Sequence, residues 1–193
     1  RDCLLSRGLG DVYKRQILSY NVMEELILDY KEVQQIARET IEYAKTFIKP
    51  GMNLLEVRKL CEQKMLELGA DSFWYWDIGA FVFAGDETTV SVSGKQYVTS
   101  DRTINGNDIV TIDLSPQNGN IWGDFARTII LENGVVTDKD KIVNAEWKNG
   151  LLMEDKLHNE LIEFVGMKTT FEELYYHINE PVSYTHLRAH ETR

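Results

Sequence analysis

Asn107-DIVTIDLSPQNGNIWGDFARTII-Leu131 decides the fold, because two β-prone runs flank a turn and each carries an acid at its inner end. Ile109 to Ile112 and Ala126 to Leu131 have strand composition, and Gln117-Asn118-Gly119-Asn120 is a strong turn signal between them. Asp113 would end one strand and Asp124 would begin the return strand, eleven residues later. An unpaired charge in an apolar run costs several kcal/mol, so each carboxylate needs a counter-charge. Facing strands bring opposed side chains within about 5 Å, so both acids could reach one pair of divalent ions. Spacing alone leaves a second possibility open, that both are ordinary turn or capping acids.

The two ends of the chain read differently from its middle. Ser6 to Gln16 and Val182 to Glu191 can be encoded by one DNA string and its reverse complement, read one frame over. Independent protein segments do not share that relation. Residues 1–16 and 181–193 are therefore expected to be translated sequencing adapter, and residues 17–180 a C-terminally truncated domain. His186 and His190, spaced like a metal pair, fall in the second tail and are set aside.

Residues 17–180 hold 15 basic and 28 acidic side chains, a net charge of −13 against −10 for the whole chain. This balance argues against nucleic acid and anionic membranes as partners. The 164 residues of the middle suit one domain. Cys61 is the one cysteine there, so no internal disulfide is expected and a reducing, cytoplasmic location is. No apolar run approaches the ~20 residues of a membrane span.

Met23 to Ile48 has the apolar spacing of a helix, ended by Lys49-Pro50-Gly51. Asn53, with Glu56 three residues on, starts a second helix that runs to Leu68 and Gly69. Short β-prone runs follow at 81–83, 89–92, 109–112 and 126–131, and helical spacing returns over 141–165 and from Phe171. Helices, a mostly antiparallel sheet, then helices indicate an α+β fold.

The motifs narrow this further. Asp108-Ile-Val-Thr-Ile-Asp113 followed by Gly123-Asp124-Phe-Ala-Arg127-Thr128 resembles the signature of peptidase family M24. That superfamily comprises methionine aminopeptidase, aminopeptidase P, prolidase and creatinase, with the pita-bread fold. Gly51 to Glu56, Leu68-Gly69-Ala70 and Ser100 to Ile104 match further family features, the last resembling the aminopeptidase P branch. The resemblance covers about residues 30–180. It implies an incomplete pita-bread domain, with a curved sheet and helices packed on one side.

The resemblance also implies roles. Asp113 would chelate one metal and Asp124 would bridge two, the ions being Mn, Co, Fe or Zn, for which oxygen ligands are suited. Such a pair of ions lowers the pKa of a bound water and polarises a carbonyl. Arg127 would orient a ligand carboxylate, the alternative being an ordinary hairpin salt bridge. The family's remaining ligands, a His and two Glu, are expected beyond Glu180, and no catalytic residue is assigned before it. His177 is expected on a helix surface, and Glu160, Glu163, Glu172 and Glu173 on a solvated face.

Lys95-Gln96-Tyr97 stands where the family has a substrate-contacting His, so Gln96 is the candidate substrate-binding residue. Glutamine donates a hydrogen bond but does not titrate near neutral pH. Phe73-Trp74-Tyr75-Trp76 is either core packing or a wall beside the substrate. The function implied is a dinuclear metal-dependent aminopeptidase-like hydrolase of the Xaa-Pro aminopeptidase or prolidase type. It would act on peptides and be inactive as this fragment. A non-catalytic pita-bread module binding peptide or protein partners is the alternative.

Overall fold

A computed structural model describes residues 3–166 and 168–183, with backbone alone for residues 3–22 and 183. Tail residues 1–2 and 184–193 lie outside the described residues, as does Met167. The first helix, α1, spans Cys3–Phe47 and so begins well before the expected Met23. From residue 23 on, burial begins at Val33. Val33, Ile36, Ala37, Ile41, Ala44 and Ile48 are buried, whereas Leu26, Ile27 and Tyr30 of the same apolar stripe are exposed. Helical periodicity thus continues beyond the surface that buries it.

Helix α2 (Leu54–Glu67) starts where the capping signal places it, with Asn53 Oδ1 accepting from the Leu55 N–H at 2.8 Å. It buries Leu54, Val57, Cys61 and Met65 at i, i+3, i+7 and i+11. Both helices cover one face of a four-stranded antiparallel sheet ordered β2 (Ala80–Ala84), β3 (Asp108–Leu114), β6 (Phe125–Glu132) and β7 (Val135–Val136). Strand alternation turns Val110, Ile112 and Leu114 inward onto α1 and α2, together with Ala80, Val82 and Ala84 from β2.

Ile109, Thr111 and Asp113 consequently point to the opposite face. There the register sets Phe81 and Ala126 on either side of Asp113, and Phe83 and Thr128 on either side of Thr111. Helix α3 (Ala145–Phe164) lies over the far end of this face without burying any of its own residues. A cavity of about 640 Å³ remains between Trp147, Leu151 and Leu157 and the sheet residues Ile109, Thr111 and Thr128. Helix α4 (Phe171–Ser183) pairs with α3, where His177 stacks on Phe164 at 4.0 Å and approaches Glu160 at 3.2 Å. The histidine expected on a helix surface is thus half-buried between two helices.

Two sequence expectations need correction. Thr89–Val92 forms no strand, since the chain takes a 3-10 turn over Gly85–Thr89 and then runs extended without a partner. Gly85 starts that turn at φ +56, and a Cβ there would meet the Arg102 guanidinium. Nor is the β3–β6 connection a plain hairpin. The chain leaves the sheet at Ser115 into β4 (Pro116–Asn118), turns at Gly119, and returns through β5 (Ile121–Trp122). With β1 (Ser72–Phe73), β4 and β5 form a second small sheet against α1.

Candidate metal centre

Asp113 lies opposite Ala126 in the β3–β6 register, and Asp124 is two residues before Ala126. The two acids are therefore diagonal neighbours on one face, close enough for their carboxyls to share a hydrogen bond. Burial, then the charge and the hydrogen bond of Asp124, push Asp113 up from 3.8 to about 6. Burial raises Asp124 as well, while its hydrogen bond to Asp113 works the other way. Asp113 is half-buried and Asp124 exposed, so the stronger perturbation falls on the acid further from water. The pair holds one proton between two oxygens until about pH 6, and the titration belongs to both acids together.

Such a pair fits a divalent cation. One oxygen donor at the end of β3 and one just ahead of β6 could exchange their shared proton for a cation that neutralises both carboxylates. Among the described residues, no group of three or more His, Cys, Asp or Glu side chains is placed to hold a metal ion. Asp113 and Asp124 therefore offer two carboxylates with no third such side chain beside them among those residues.

Arg127 is not brought to them. It pairs with Ile112, which sends its side chain to the face opposite Asp113. Its guanidinium lies 3.9 Å from the Phe125 ring centroid, Nη1 donates to the Ala126 carbonyl at 2.6 Å, and Nε approaches Glu154 of α3 at 3.8 Å. Its ionic partner is thus on α3, outside the connection between β3 and β6. Gln96 ends a 3-10 turn (Gly94–Gln96), exposed, and lines a cavity of about 240 Å³ with Val82, Phe83, Val92 and Tyr97. The Ser93 hydroxyl donates to its Oε1 at 3.4 Å.

The aromatic run divides between core and surface. Phe73 packs on the main core, and Tyr75 joins Phe81, Phe83 and Tyr97 in a smaller cluster beside Asp113. Trp76 is exposed at φ 59 and lies on Gly94, where a Cβ would sit 2.5 Å from its ring. Trp74 meets Trp122 at a tilt, with ring centroids 5.1 Å apart, and donates from Nε1 to the Gly123 carbonyl at 2.8 Å, immediately before Asp124.

Residues not singled out from sequence fix the frame around the pair. Gln34 of α1 bonds the backbone of Asp124. Buried Asp108 accepts from Arg102 Nη2, from the backbone N–H groups of Asn105 and Ile109, and from Asn105 Nδ2, all at 2.9–3.2 Å. This network ties the 100–107 approach to the start of β3. Tyr97 locks its turn onto β2, its hydroxyl accepting from the Val82 N–H at 2.8 Å and donating to the Val82 carbonyl at 3.2 Å. The clue for Asp108 was its place at the head of an alternating strand, on the core side.

Comparison with known proteins matches residues 29–191 to the model for metallopeptidase family M24. Among solved structures, the prolidase from Pyrococcus furiosus is 22% identical with a TM-score of 0.67, covering 82% of this chain and 42% of its own. The Xaa-Pro dipeptidase from Bacillus anthracis is 21% identical with a TM-score of 0.68, over 82% of this chain and 40% of that one. The X-Pro aminopeptidase from Thermotoga maritima MSB8 is 18% identical with a TM-score of 0.58, over 72% and 34%. The chain thus spans 34–42% of these relatives, and the likeness is one of fold. No curated protein sequence matches.

Proposed function

The chain belongs to metallopeptidase family M24, and from that premise we propose that it is part of a dinuclear metal-dependent aminopeptidase-like hydrolase. The type is Xaa-Pro aminopeptidase or prolidase, and Asp113 and Asp124 are two of its carboxylate ligands. One observation carries the proposal: the two acids share a face of the sheet with their carboxyls in contact, and Asp113 is pushed to about 6. A structural pair of acids would be separated or matched with a cation from the protein. Arg127, three residues from Asp124, bonds elsewhere.

When bound, divalent ions would supply Lewis acidity toward a peptide carbonyl and lower the pKa of a coordinated water. The protein's own part is positional. Above about pH 6 the pair releases its shared proton and presents two negative charges. The β3–β6 ladder holds Asp113, Asp124 sits just ahead of it, and Phe81 and Phe83 border Asp113 and Thr111 with apolar surface. The substrates proposed are short peptides. No nucleic acid or membrane partner is proposed, and among the described residues no helix is long and apolar enough to cross a membrane.

The ligand pair is two of the five that the family pattern calls for. In our reading residues 17–180 are the genuine part of the gene product and the flanking segments are adapter-derived, so this chain binds Mn or Co weakly and does not turn over peptides. The gene read through past residue 180 should encode a His and two Glu, and its product should hydrolyse Xaa-Pro dipeptides when loaded with metal. Absence of metal-dependent turnover with any short peptide would refute the enzyme. Gln96, in place of a histidine, favours the second reading, a non-catalytic peptide- or protein-binding module. Loss of those His and Glu residues from the full gene would select it.

A further inference from the structure

Asp124 stands just outside the β-ladder. Strand β6 begins at Phe125, whose partner Leu114 is the last residue of β3, so the N–H and C=O of Asp124 have no partner strand. A side chain from α1 takes that place. Gln34 Nε2 donates to the Asp124 carbonyl at 2.7 Å, and the Asp124 N–H donates to Gln34 Oε1 at 3.1 Å. A primary amide carries the donor and acceptor of a peptide group, so this closed pair repeats the two-bond exchange of antiparallel strands.

The preceding residue is seated just as closely. The Gly123 N–H donates to the Pro116 carbonyl at 2.8 Å, and Trp74 Nε1 donates to the Gly123 carbonyl at 2.8 Å. A Cβ on Gly123 would come within 3.2 Å of the Val33 carbonyl and 3.3 Å of Gln34 Oε1, so the strand entry rests directly on α1. Electrostatics oppose this placement. Like charges on one face repel, and the segment free to yield is the one outside the ladder, Gly123-Asp124.

We propose that Gln34 is a positioning residue: its amide holds the backbone of Asp124 so that the Asp124 carboxyl stays beside Asp113. Its functional meaning rests on the ligand role proposed above for that pair. The amide does not touch a reacting atom. It supplies by side chain the strand pairing that the sheet stops short of giving.

The test is Gln34→Met in the full chain, which keeps the length of the side chain and removes both hydrogen bonds. Gln34 is half-buried at the edge of the packed face of α1, so the helix retains its buried stripe. Gln35→Met is the control, since Gln35 is exposed and bonds only to Glu39 of its own helix. In metal-free protein, hydrogen exchange at the Asp124 amide should accelerate about tenfold or more in Gln34→Met and not in the control. Calorimetric Mn affinity should fall about tenfold, with the melting temperature within a few degrees of wild type.

Unchanged exchange at Asp124 would overturn the proposal. So would a lowered melting temperature with unaltered Mn affinity, the signature of a purely structural contact. If the wild-type chain takes up no Mn while Gln34→Met still frees the Asp124 amide, the metal reading fails and the clamp stands. Should the Met variant not fold, Gln34→Ala repeats the test with a stronger helix former.

Discussion

Replacing Asp113 with Asn should stabilise the metal-free protein above neutral pH, and the size of the effect can be worked out. The Asp113 carboxyl rises from 3.8 to about 6 on folding. Between those values the folded protein keeps a proton that the unfolded chain has released. Stability from this acid is therefore complete below about pH 4 and lost as pH rises through about 6. At full strength the difference is worth about 3 kcal/mol. Asp113 is only half-buried, and solvent screening reduces this to about 1–2 kcal/mol. An asparagine is isosteric, carries no charge and donates to the Asp124 carboxylate, so the variant escapes the loss. Urea unfolding in EDTA at pH 4.5, 6 and 8 reads the difference between the two proteins. That difference cancels the general self-repulsion of a chain at −10. The gap in favour of Asp113→Asn should be about a third of its full size at pH 4.5 and reach about 1–2 kcal/mol at pH 8. Added Mn at pH 8 should then stabilise wild type and leave the variant unmoved. A variant weaker than wild type at pH 8, or a gap independent of pH, would refute the argument that the two acids are held together against their charge.

Asp108→Ala should cost about 3 kcal/mol, seen as a lower urea midpoint at constant slope, because it strands the Arg102 guanidinium beneath Gly85. A loss under ~1 kcal/mol would mean that water replaces the carboxylate freely. Gly123→Ala should cost about 1–3 kcal/mol, since its Cβ would press on backbone and Pro116 at 3.2 Å, and thermal unfolding measures it. Burial pushes the Cys61 thiol up to about 12, so in a Cys3→Ser background it should resist a thiol-exchange reagent at pH 8 and react at once in urea. Rapid labelling of the folded protein would show that α2 opens locally.

The fold was legible wherever a period was carried by residues that pack. Asp108 to Leu114 alternates cleanly, and its partner run Phe125–Glu132 lies opposite it over seven register pairs. The α2 cap was legible because Asn53 acts through its nearest neighbours. Thr89–Val92 misled for the converse reason. Its β-branched residues favour extended backbone, but no strand lies beside them to pair with, and the hydroxyls of Thr88 and Thr89 bond back into their own turn. Intrinsic preference without a partner yields coil.

The site shows the same division more sharply. That Asp113 and Asp124 meet follows from parity and register. Asp124 and Ala126 are two apart and share a face, and Ala126 faces Asp113. Parity also puts Arg127 on the other face, three residues from Asp124, so its absence from the pair was already implicit in the strand. The motif led past that point, because residues three apart in a strand lie on opposite faces of a pleated sheet. Gln34 had no such signal. It sits 90 residues from Asp124, one position beyond buried Val33, where a polar side chain on a helix looks like solvent surface. Its partner is backbone, which every residue offers equally, so no residue type at position 124 could have announced it. The carboxylates that would bind a metal are thus visible in the chain, while the side chain that aims one of them becomes visible only when α1 is laid against the strand entry.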